Sequence, residues 1–459
     1  MEQIGCDVLV VGGGLAGHAA ALSAAEDGAD VLLIEKQPEV GGSSVLAGGS
    51  FAFAGTDMQK ERGIEDSESL LSQDLLEVGQ GKNDPQLVGQ YAHSQLGAYY
   101  WLREHGVEFM SVQAASGQSV PRSHLANPRM VVDLLHKTAQ SLANIHIVTG
   151  CAAERLVQDP DTKRVTGLMA RQGTTEYLLR AERGVVLTSG GFGQNKEMIA
   201  AFAPGKEKAL LLGALGNVGD GLKMAWKLGA GLRDMPYVKG TFGNYPETKV
   251  GQHLGLEAVY KGAIAVNKAG RRFVDESLDY KLLGDACLLQ EDALTFQILD
   301  QKVMDASVPG YTIFDFRRRL DQGLMVAAPT LGELSEKIGV PAGQLEETVQ
   351  IYNAMVRSGS EDSFGRRHLT HRFGDLVEID APPFYAYPST TGIVATYAGI
   401  TVSPKAEVID VFGEAIPHLF AAGEIMGGFH GAAYMTGTSL GKATIFGRIA
   451  GKEAARKAS

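Results

Sequence analysis

The sequence predicts an α/β fold in which one large domain is interrupted by a smaller α+β cap. Three observations lead to this prediction. The chain has 459 residues, which is more than one hydrophobic core usually supports. A glycine-rich turn follows the first apolar run, at residues 12–17, and a second glycine-rich segment occupies residues 421–451. Because these two segments resemble parts of one cofactor site, the residues between them must include an inserted domain.

Composition restricts the possible partners. The formal net charge of −11 disfavours nucleic acid or anionic lipid as the main partner. The three cysteines, Cys6, Cys151 and Cys287, form no CxxC or zinc-like pattern, so we expect reduced thiols in a cytoplasmic protein and no metal site. Neither a targeting segment nor an apolar run of about 18 residues is present, so we expect no membrane span.

The amino-terminal glycine turn predicts dinucleotide binding. The apolar strand of residues 6–11 precedes Gly12, Gly14 and Gly17, an alanine-rich helix follows, and a second strand ends on Glu35. In a Rossmann unit the amino end of such a helix faces the pyrophosphate and the acid binds ribose hydroxyls. An ordinary tight turn between strand and helix is the alternative.

Three further segments combine small residues with apolar runs. They are GGSSVLAGGS at residues 41–50, VVLTSGGFGQN at residues 185–195 and GNVGDGLKMAWKLGA at residues 216–230. Consecutive small residues allow the backbone to approach a flat ring or a phosphate closely, although a flexible loop could have the same composition. The last segment is typical of a turn followed by an amphipathic helix.

With these motifs the chain resembles the flavoprotein family of soluble fumarate reductases, succinate dehydrogenase flavoprotein subunits, L-aspartate oxidases and 3-ketosteroid dehydrogenases. The motifs GGGLAG, GGSS, TSGGFGQN, GDGLKMA, VNKAGRRFVDES and AAGEIMGG occur in order along nearly the whole chain. The resemblance implies bound FAD, with Glu424 on the ribityl or ribose side and the helix start at Ser439 and Leu440 near the flavin pyrimidine. Covalent members carry a histidine in the segment of residues 41–50, which has none here, so we expect noncovalent FAD.

The resemblance assigns a set of cofactor-binding residues, most of them small. These are Gly12, Gly14, Leu15, Ala16, Gly17, Glu35, Lys36, Gly42, Ser43, Ser44, Ala47, Gly48, Gly49, Ala152, Ala153, Ser189, Gly190, Gly191, Asn195, Asp220, Gly423, Glu424, Ser439 and Leu440.

The flavin motifs stop near Asp234 and resume near Ala381, which places the domain boundaries. We predict a first part of the FAD-binding domain at 1–235, a capping or substrate domain at 236–380 and a return segment of the FAD-binding domain at 381–459. Because no second complete dinucleotide fingerprint occurs, a nicotinamide is not expected as a tightly bound partner. The electron donor or acceptor is not identified by any motif.

Two positions argue against a dicarboxylate substrate. Where fumarate reductases have a carboxylate-binding arginine near the carboxyl end, this chain has Tyr434. The His-Thr-Met-Gly-Gly segment of those enzymes is represented here by residues 395–399, ATYAG, without the histidine.

The same positions resemble the 3-ketosteroid dehydrogenase branch. In that branch a cap tyrosine exchanges a proton with the substrate, and this chain has Tyr280 after Glu276 in the corresponding segment. A second tyrosine polarises the ketone and some Δ4 members have a hydroxyl residue two positions later, which Tyr434 and Thr436 match. The resemblance therefore implies an FAD-dependent oxidoreductase of a CH–CH bond next to a ketone, with a cyclic ketone or enone as substrate.

Each catalytic assignment has an alternative. Tyr280 could be a packing residue with a satisfied hydroxyl, and Glu276 could either tune Tyr280 or hold the cap together. Arg319 matches the proton-donating arginine of fumarate reductases, although the run RRR at residues 317–319 could also be a solvated basic face. If Arg319 is the proton donor, the function is instead that of an ene-reductase of an unsaturated acid or enone. A flavin-binding electron carrier is a third hypothesis.

Overall fold

The computed structural model describes residues 2–238, 240–252 and 254–456. The strands, in chain order, are β1 Glu2–Val11, β2 Val31–Glu35, β3 Ser50–Ala52, β4 Ser111–Gln113, β5 Ser123–Leu125, β6 Ile145–Thr149, β7 Cys151–Gln158, β8 Val165–Gln172, β9 Thr175–Leu187, β10 Leu210–Leu211, β11 Leu232–Arg233, β12 Thr241–Asn244, β13 Ile264–Asn267, β14 Thr295–Leu299, β15 Val326–Ala328, β16 Phe384–Ile393, β17 Gly399–Ile400, β18 Glu407–Ile409 and β19 Ala415–Ala421.

The helices begin at residues that suit helix starts. Asp84 caps the helix that begins at Pro85, and Asn127 caps the helix that begins at Pro128. The helices are α1 Leu15–Glu26, α2 Asp57–Lys60, α3 Glu68–Val78, α4 Pro85–Glu104, α5 Pro128–Ser141, α6 Lys196–Phe202, α7 Asp220–Lys227, α8 Tyr280–Leu288, α9 Gln301–Asp305, α10 Phe316–Asp321, α11 Leu331–Ile338, α12 Gln344–Ser358 and α13 Thr438–Ala455.

The larger sheet has a parallel centre. Its strand order is β18-β19-β9-β1-β2-β6, and β1 pairs in parallel with both β2 and β9. The antiparallel hairpin of β7 and β8 continues from the first half of β9. Because β1, β2, β9 and β19 run in the same direction, their carboxyl ends meet at one edge, where an α/β sheet typically binds its ligand.

Helices α1 and α13 cross at close range on this sheet. A Cβ atom added to Gly451 would lie 2.1 Å from the backbone oxygen of Ala20, so only glycine permits this approach. The glycine-rich carboxyl-terminal segment therefore has two roles. Its first part borders the cofactor edge, and its last part packs α13 against the dinucleotide helix.

The second sheet belongs to the cap. Its order is β10-β16-β14-β13, and both β12 and β15 also pair with β16. Helices α11 and α12 contribute to the hydrophobic cluster on this sheet. The central strand β16 lies within the predicted return segment 381–459, so the chain leaves the cap only after residue 393. The boundaries 1–235, 236–380 and 381–459 stay a proposal.

The helices contain no membrane-crossing candidate in the described ranges. None of them is both long enough and apolar enough to span a bilayer. Residues 2–238, 240–252 and 254–456 also contain no group of three histidine, cysteine, aspartate or glutamate side chains placed to hold a metal ion.

Candidate active site

A cavity of about 550 Å³ begins at the carboxyl ends of β1, β2 and β9 and extends to the cap. At one end its walls include Gly12 and Glu35, and at the other they include Tyr280 and Tyr434. This volume lies within the roughly 300–1,000 Å³ of typical ligand sites. The cavity thus joins the predicted dinucleotide turn to the predicted catalytic tyrosines.

The dinucleotide end has the features of a pyrophosphate site. Helix α1 starts after Gly14, which has no side chain to cap it, so its first backbone N–H groups face the cavity end. The hydroxyl of Ser44 accepts a hydrogen bond of 3.0 Å from the Leu15 N–H. At the end of β2, Glu35 accepts hydrogen bonds of 2.8 Å from the N–H groups of Gly13 and Gln37.

The middle of the cavity is built around Glu424. One carboxylate oxygen accepts the Thr396 N–H at 2.9 Å, and the other accepts the Asn217 side-chain amide at 2.9 Å. Asn217 also donates to the Ser43 hydroxyl at 2.9 Å. Burial raises the pKa of Glu424. An ion pair between Lys36 and Asp220, 2.5 Å apart, also lies in the cavity wall near β2.

The amino end of α13 forms a further part of the cavity wall. Gly437 precedes the helix with φ +92° and no side-chain cap, and Ser439 and Leu440 line the cavity. Lys442 also lines it, and burial lowers the pKa of this lysine to about 8. On the facing side, the buried hydroxyl of Ser189 has no hydrogen-bond partner within the described residues. The amino end of this helix, the lysine and the open hydroxyl fit an anionic, polar cofactor such as FAD.

Most of the sequence-predicted cofactor residues line this cavity. Four of them do not. Gly17 packs its α-carbon against the backbone oxygen of Gly12, and Gly191 packs against Glu424. Ala152 lies outside the wall although its neighbours Cys151 and Ala153 belong to it, and Asn195 caps α6 through a 3.0 Å bond from the Met198 N–H. The cofactor-binding roles of all the predicted residues, including those that line the cavity, stay predictions.

The predicted catalytic tyrosines meet in the cap end of the cavity. The rings of Tyr280 and Tyr434 are 5.5 Å apart between centroids, and Tyr397 lies 4.8 Å from Tyr434. Tyr280 is the first residue of α8 in the cap, whereas Tyr434 belongs to the loop before α13 in the FAD-binding domain. The third residue, Thr436, lines the same cavity, and its buried Oγ1 has no hydrogen-bond partner in the described part of the chain.

A buried lysine lies beside these rings. The Lys281 Nζ atom is 4.9 Å from the ring centroid of Tyr280 and 4.5 Å from that of Tyr397, and it donates to the Thr241 hydroxyl. Desolvation lowers the pKa of Lys281, and the nearby Asp279 carboxylate opposes that effect. A cation over aromatic faces is attracted by their quadrupoles. The Lys281 ammonium group therefore attracts both the Tyr280 ring and the Tyr397 ring, next to the position where Tyr280 and Tyr434 meet.

The comparisons with known proteins agree with this cavity. Residues 7–440 match the family described as the FAD binding domain. Over 457 residues the chain is 33% identical to the fumarate reductase (cytochrome) of Shewanella frigidimarina, a match that covers 98% of this chain and 77% of that protein. The chain belongs to the fumarate reductase family of FAD-dependent flavoproteins. Membership in the fumarate reductase family makes it an FAD-dependent oxidoreductase of CH–CH bonds.

Two further proteins that are similar to this chain are informative. Urocanate reductase of Eggerthella lenta is 33% identical over 98% of this chain and 74% of that protein. The structure of 3-ketosteroid-delta4-(5alpha)-dehydrogenase from Rhodococcus jostii has a TM-score of 0.79 and 28% identity, and the match covers 100% of this chain and 98% of that chain. The predicted fold class and family are thereby confirmed.

In this fumarate reductase family member, Glu276 contacts arginines of the cap and does not line the cavity. Its carboxylate accepts hydrogen bonds from Arg272 at 2.8 and 2.6 Å, from Arg366 at 3.4 Å and from the Ala265 N–H at 3.1 Å. These bonds tie β13 to the cap segment that carries Arg366. The geometry favours a structural role for Glu276 over tuning of Tyr280.

We expect the Glu276→Gln variant to lose about 3–5 kcal/mol of unfolding free energy, because the buried Arg366 loses its charged partner and the buried Arg272 loses one of its two carboxylate partners and keeps Asp362. Urea unfolding followed by circular dichroism measures this loss. Glu361→Gln is a matched control, since Glu361 pairs with Arg367 at 3.8 Å on the exposed surface, and it should leave stability unchanged. Unchanged stability in Glu276→Gln, together with lost activity, would instead favour tuning of Tyr280.

The arginine run of residues 317–319 is divided between surface and interior. Arg317 is exposed and pairs with Asp305 at 2.5 Å, whereas Arg319 is only 2% exposed. Arg319 donates to the Gln322 side chain at 2.9 Å and to the backbone oxygen of Thr312 at 3.2 Å. A solvated basic face is therefore wrong for Arg319, which lies behind a wall that Thr312 helps to form.

Sequence reasoning missed Glu257 and Lys281 as site residues of this family member. Glu257 is a single charged residue within an apolar run, and Lys281 follows the acidic segment 275–279, where a surface position would be the ordinary expectation. Both are weak sequence signals. Tyr397 lines the cavity with φ +57°, an unfavourable conformation for a tyrosine. His430 is buried against Tyr397, at 4.8 Å between ring centroids, and does not line the cavity.

Proposed function

We propose that this protein is an FAD-dependent oxidoreductase acting on a CH–CH bond next to the ketone of a 3-ketosteroid or a similar cyclic ketone. The observation that carries the proposal is the meeting of Tyr280 and Tyr434, 5.5 Å apart between ring centroids, in the cavity that Ser439 and Leu440 also line. The Rhodococcus jostii relative, a 3-ketosteroid-delta4-(5alpha)-dehydrogenase, supports it at nearly full coverage of both chains.

Tyr434 is the proposed ketone-polarising group. Its hydroxyl oxygen accepts hydrogen bonds of 3.3 Å from the N–H groups of both Gly437 and Ser439. Because the oxygen accepts twice, its own O–H group is available to donate to a substrate carbonyl. Such a donor stabilises the negative charge that develops on the oxygen when a neighbouring carbon loses a proton.

Tyr280 is the proposed proton-exchanging group. Burial raises the pKa of Tyr280 well above its usual value, and the neighbouring Tyr434 adds to this effect. The neutral phenol is therefore the resting form, ready to give a proton in the reductive direction. In the dehydrogenating direction the phenolate is required, and the Lys281 ammonium group beside the ring favours that form.

The residues of the cavity's other end would hold FAD, which supplies a hydride acceptor or donor at its N5 atom. Dehydrogenation then breaks two C–H bonds: one hydrogen leaves as a hydride and the other as a proton to Tyr280. Noncovalent attachment, a small-molecule cyclic ketone or enone as partner and a cytoplasmic location are parts of the same proposal.

A second candidate is an ene-reductase of an unsaturated acid or enone. The fumarate reductase and urocanate reductase relatives favour it. Arg319 is buried but does not line the cavity, which argues against it. In this candidate Arg319, rather than Tyr280, supplies the proton. Tyr434 in place of a carboxylate-binding arginine argues against a dicarboxylate.

Anaerobic titration tests the proposal. We expect saturated 3-ketosteroids or smaller cyclic ketones to bleach the absorbance of the oxidised flavin. If they do not, the dithionite-reduced enzyme is mixed with enones and unsaturated acids. Reoxidation by enones or unsaturated acids, without bleaching by any ketone, would establish the second candidate. No response to either series would contradict the ketone assignment.

The pH dependence should differ between the two directions. At saturating ketone, we expect the rate of flavin reduction to rise about tenfold per pH unit below the pKa of Tyr280, because only the phenolate accepts a proton. Reduction of an enone uses the neutral phenol and should be nearly independent of pH in this range. Stopped-flow absorbance between pH 7 and 10 measures both, and a flat profile for flavin reduction would contradict this role of Tyr280.

A further inference from the structure

One acidic side chain in the cavity wall has no role in the proposed chemistry. Glu257 lies just before the short 3-10 turn Ala258–Lys261, and its backbone N–H donates to the Ile313 oxygen at 2.9 Å. Its side chain lines the cavity but is only 4% exposed. The Oε2 atom has no hydrogen-bond partner among the described residues. Leaving such a buried polar atom unpaired costs about 1–3 kcal/mol, so the atom is open to a partner that occupies the cavity.

The surroundings of Glu257 disfavour a charged carboxylate. Burial raises the pKa of Glu257 to about 8, and the like charge of Asp279 adds to the rise while Lys281 opposes it. The other titratable groups that face it are hydroxyls, those of Tyr260, Tyr280 and Tyr311. At neutral pH the group is therefore a carboxylic acid, which has an O–H bond to donate.

Glu257 shares a wall with the catalytic end of the cavity. Tyr280, Tyr311 and Thr436 all line this region, and Tyr434 lies beside Tyr280. A ligand that reaches Tyr280 therefore shares one cavity with the carboxyl group of Glu257, whose charge also acts on Tyr280. We propose that Glu257 is a specificity-determining residue whose carboxyl group donates a hydrogen bond to an oxygen atom of a neutral substrate. This proposal rests on the proposed function, since it assigns a further contact to the same ketone substrate.

The proposal has a consequence for substrate charge. A substrate carboxylate next to Glu257 would face a group that becomes an anion when it loses its proton. A ketone or hydroxyl oxygen instead accepts the proton that Glu257 carries. The site should therefore prefer neutral oxygenated ligands, and it should bind them more weakly when Glu257 ionises.

Binding to the holoenzyme tests the proposal. The ligands are 4-androstene-3,17-dione and 2-cyclohexen-1-one, and the signal is the perturbation of the flavin absorbance between pH 6 and 9.5. Two variants are compared, each checked for folding by its FAD content. Glu257→Gln keeps a donor without a titrating proton, and Glu257→Met keeps a similar volume without a hydrogen bond. Infrared difference spectra follow the carbonyl stretch of the protonated Glu257 carboxyl group, which Glu257→Gln lacks.

For the wild type we expect constant affinity below pH 8 and a loss of about tenfold per pH unit above it. The Glu257→Gln variant should bind within about threefold of the wild type at pH 7 and lose the pH dependence, whereas Glu257→Met should bind about tenfold more weakly. The protonated carboxyl band should be present at pH 7 and should shift when an enone binds.

The outcomes separate this proposal from the proposed function. If enones bind and ketones bleach the flavin, but the carboxyl band is absent or does not respond, only the assignment of Glu257 fails. Wild-type affinity in Glu257→Met has the same meaning. If enones bind and shift the band but no ketone bleaches the flavin, only the proposed function fails. If neither enone binds, both proposals fail.

Discussion

The Tyr280→Phe variant is expected to reduce the rate of flavin reduction by a cyclic ketone by about 10²–10⁴-fold, because the reaction loses its proton-exchanging group. The variant removes one buried hydroxyl and keeps the ring, so Lys281 retains its aromatic neighbour. Bound FAD and stability should therefore change little. Single-turnover flavin absorbance under anaerobic conditions measures the effect.

Arg319→Ala separates the two candidate functions in the same assay. If Tyr280 exchanges the proton, Arg319→Ala should retain most of the chemical rate once its FAD content matches the wild type. If Arg319 is the donor, that variant loses activity and Tyr280→Phe retains it. Equal activity of Tyr280→Phe and the wild type would contradict the proposed role of Tyr280.

The Gly17→Ala variant is expected to lose bound FAD. A Cβ atom at Gly17 would lie 1.9 Å from the backbone oxygen of Gly12, so either the turn or α1 must move. Gly12 cannot move freely, since its own φ of +113° and its contact with the Thr188 oxygen fix it. We expect the ratio of flavin absorbance to protein absorbance to fall to near zero, because the first N–H groups of α1 no longer face the pyrophosphate.

Gly97→Ala is the matched control for this substitution. Gly97 is exposed in α4, and an added Cβ would contact no atom within 4 Å. We expect normal FAD content and a gain of about 0.4–1 kcal/mol in unfolding free energy, since alanine has less freedom in the unfolded chain. Normal FAD content in Gly17→Ala would contradict the assigned role of the close contact with Gly12.

Local patterns in the sequence were sufficient to predict the dinucleotide part of the fold. The strand that ends on Glu35 and the glycine turn at residues 12–17 depend on short-range backbone geometry, and both occur as predicted. The helix start at Ser439 also occurs, within one residue of its predicted position. Such features are recognisable because each depends on neighbours only a few positions away.

The cap end of the cavity depends on distant contacts and was harder to predict. Tyr280 and Tyr434 were identified by resemblance. Glu257 and Lys281 become recognisable as site residues only in the folded structure, where both are buried and Lys281 lies beside the Tyr280 ring. Glu276 shows the converse case. Its proximity to Tyr280 in the sequence suggested tuning, whereas its hydrogen bonds to Arg272 and Arg366 are directed into the cap.

The central position of β16 in the cap sheet links a distant strand pairing to the reactive end of the cavity. Strands β12 and β16 lie side by side and antiparallel, with Thr241 opposite Gly392. Thr241 lines the cavity and accepts a hydrogen bond from Lys281, the neighbour of Tyr280 in α8. A substitution in β16 that shifts its register against β12 is therefore expected to displace the surroundings of Tyr280, although β16 is far from Tyr280 in the sequence.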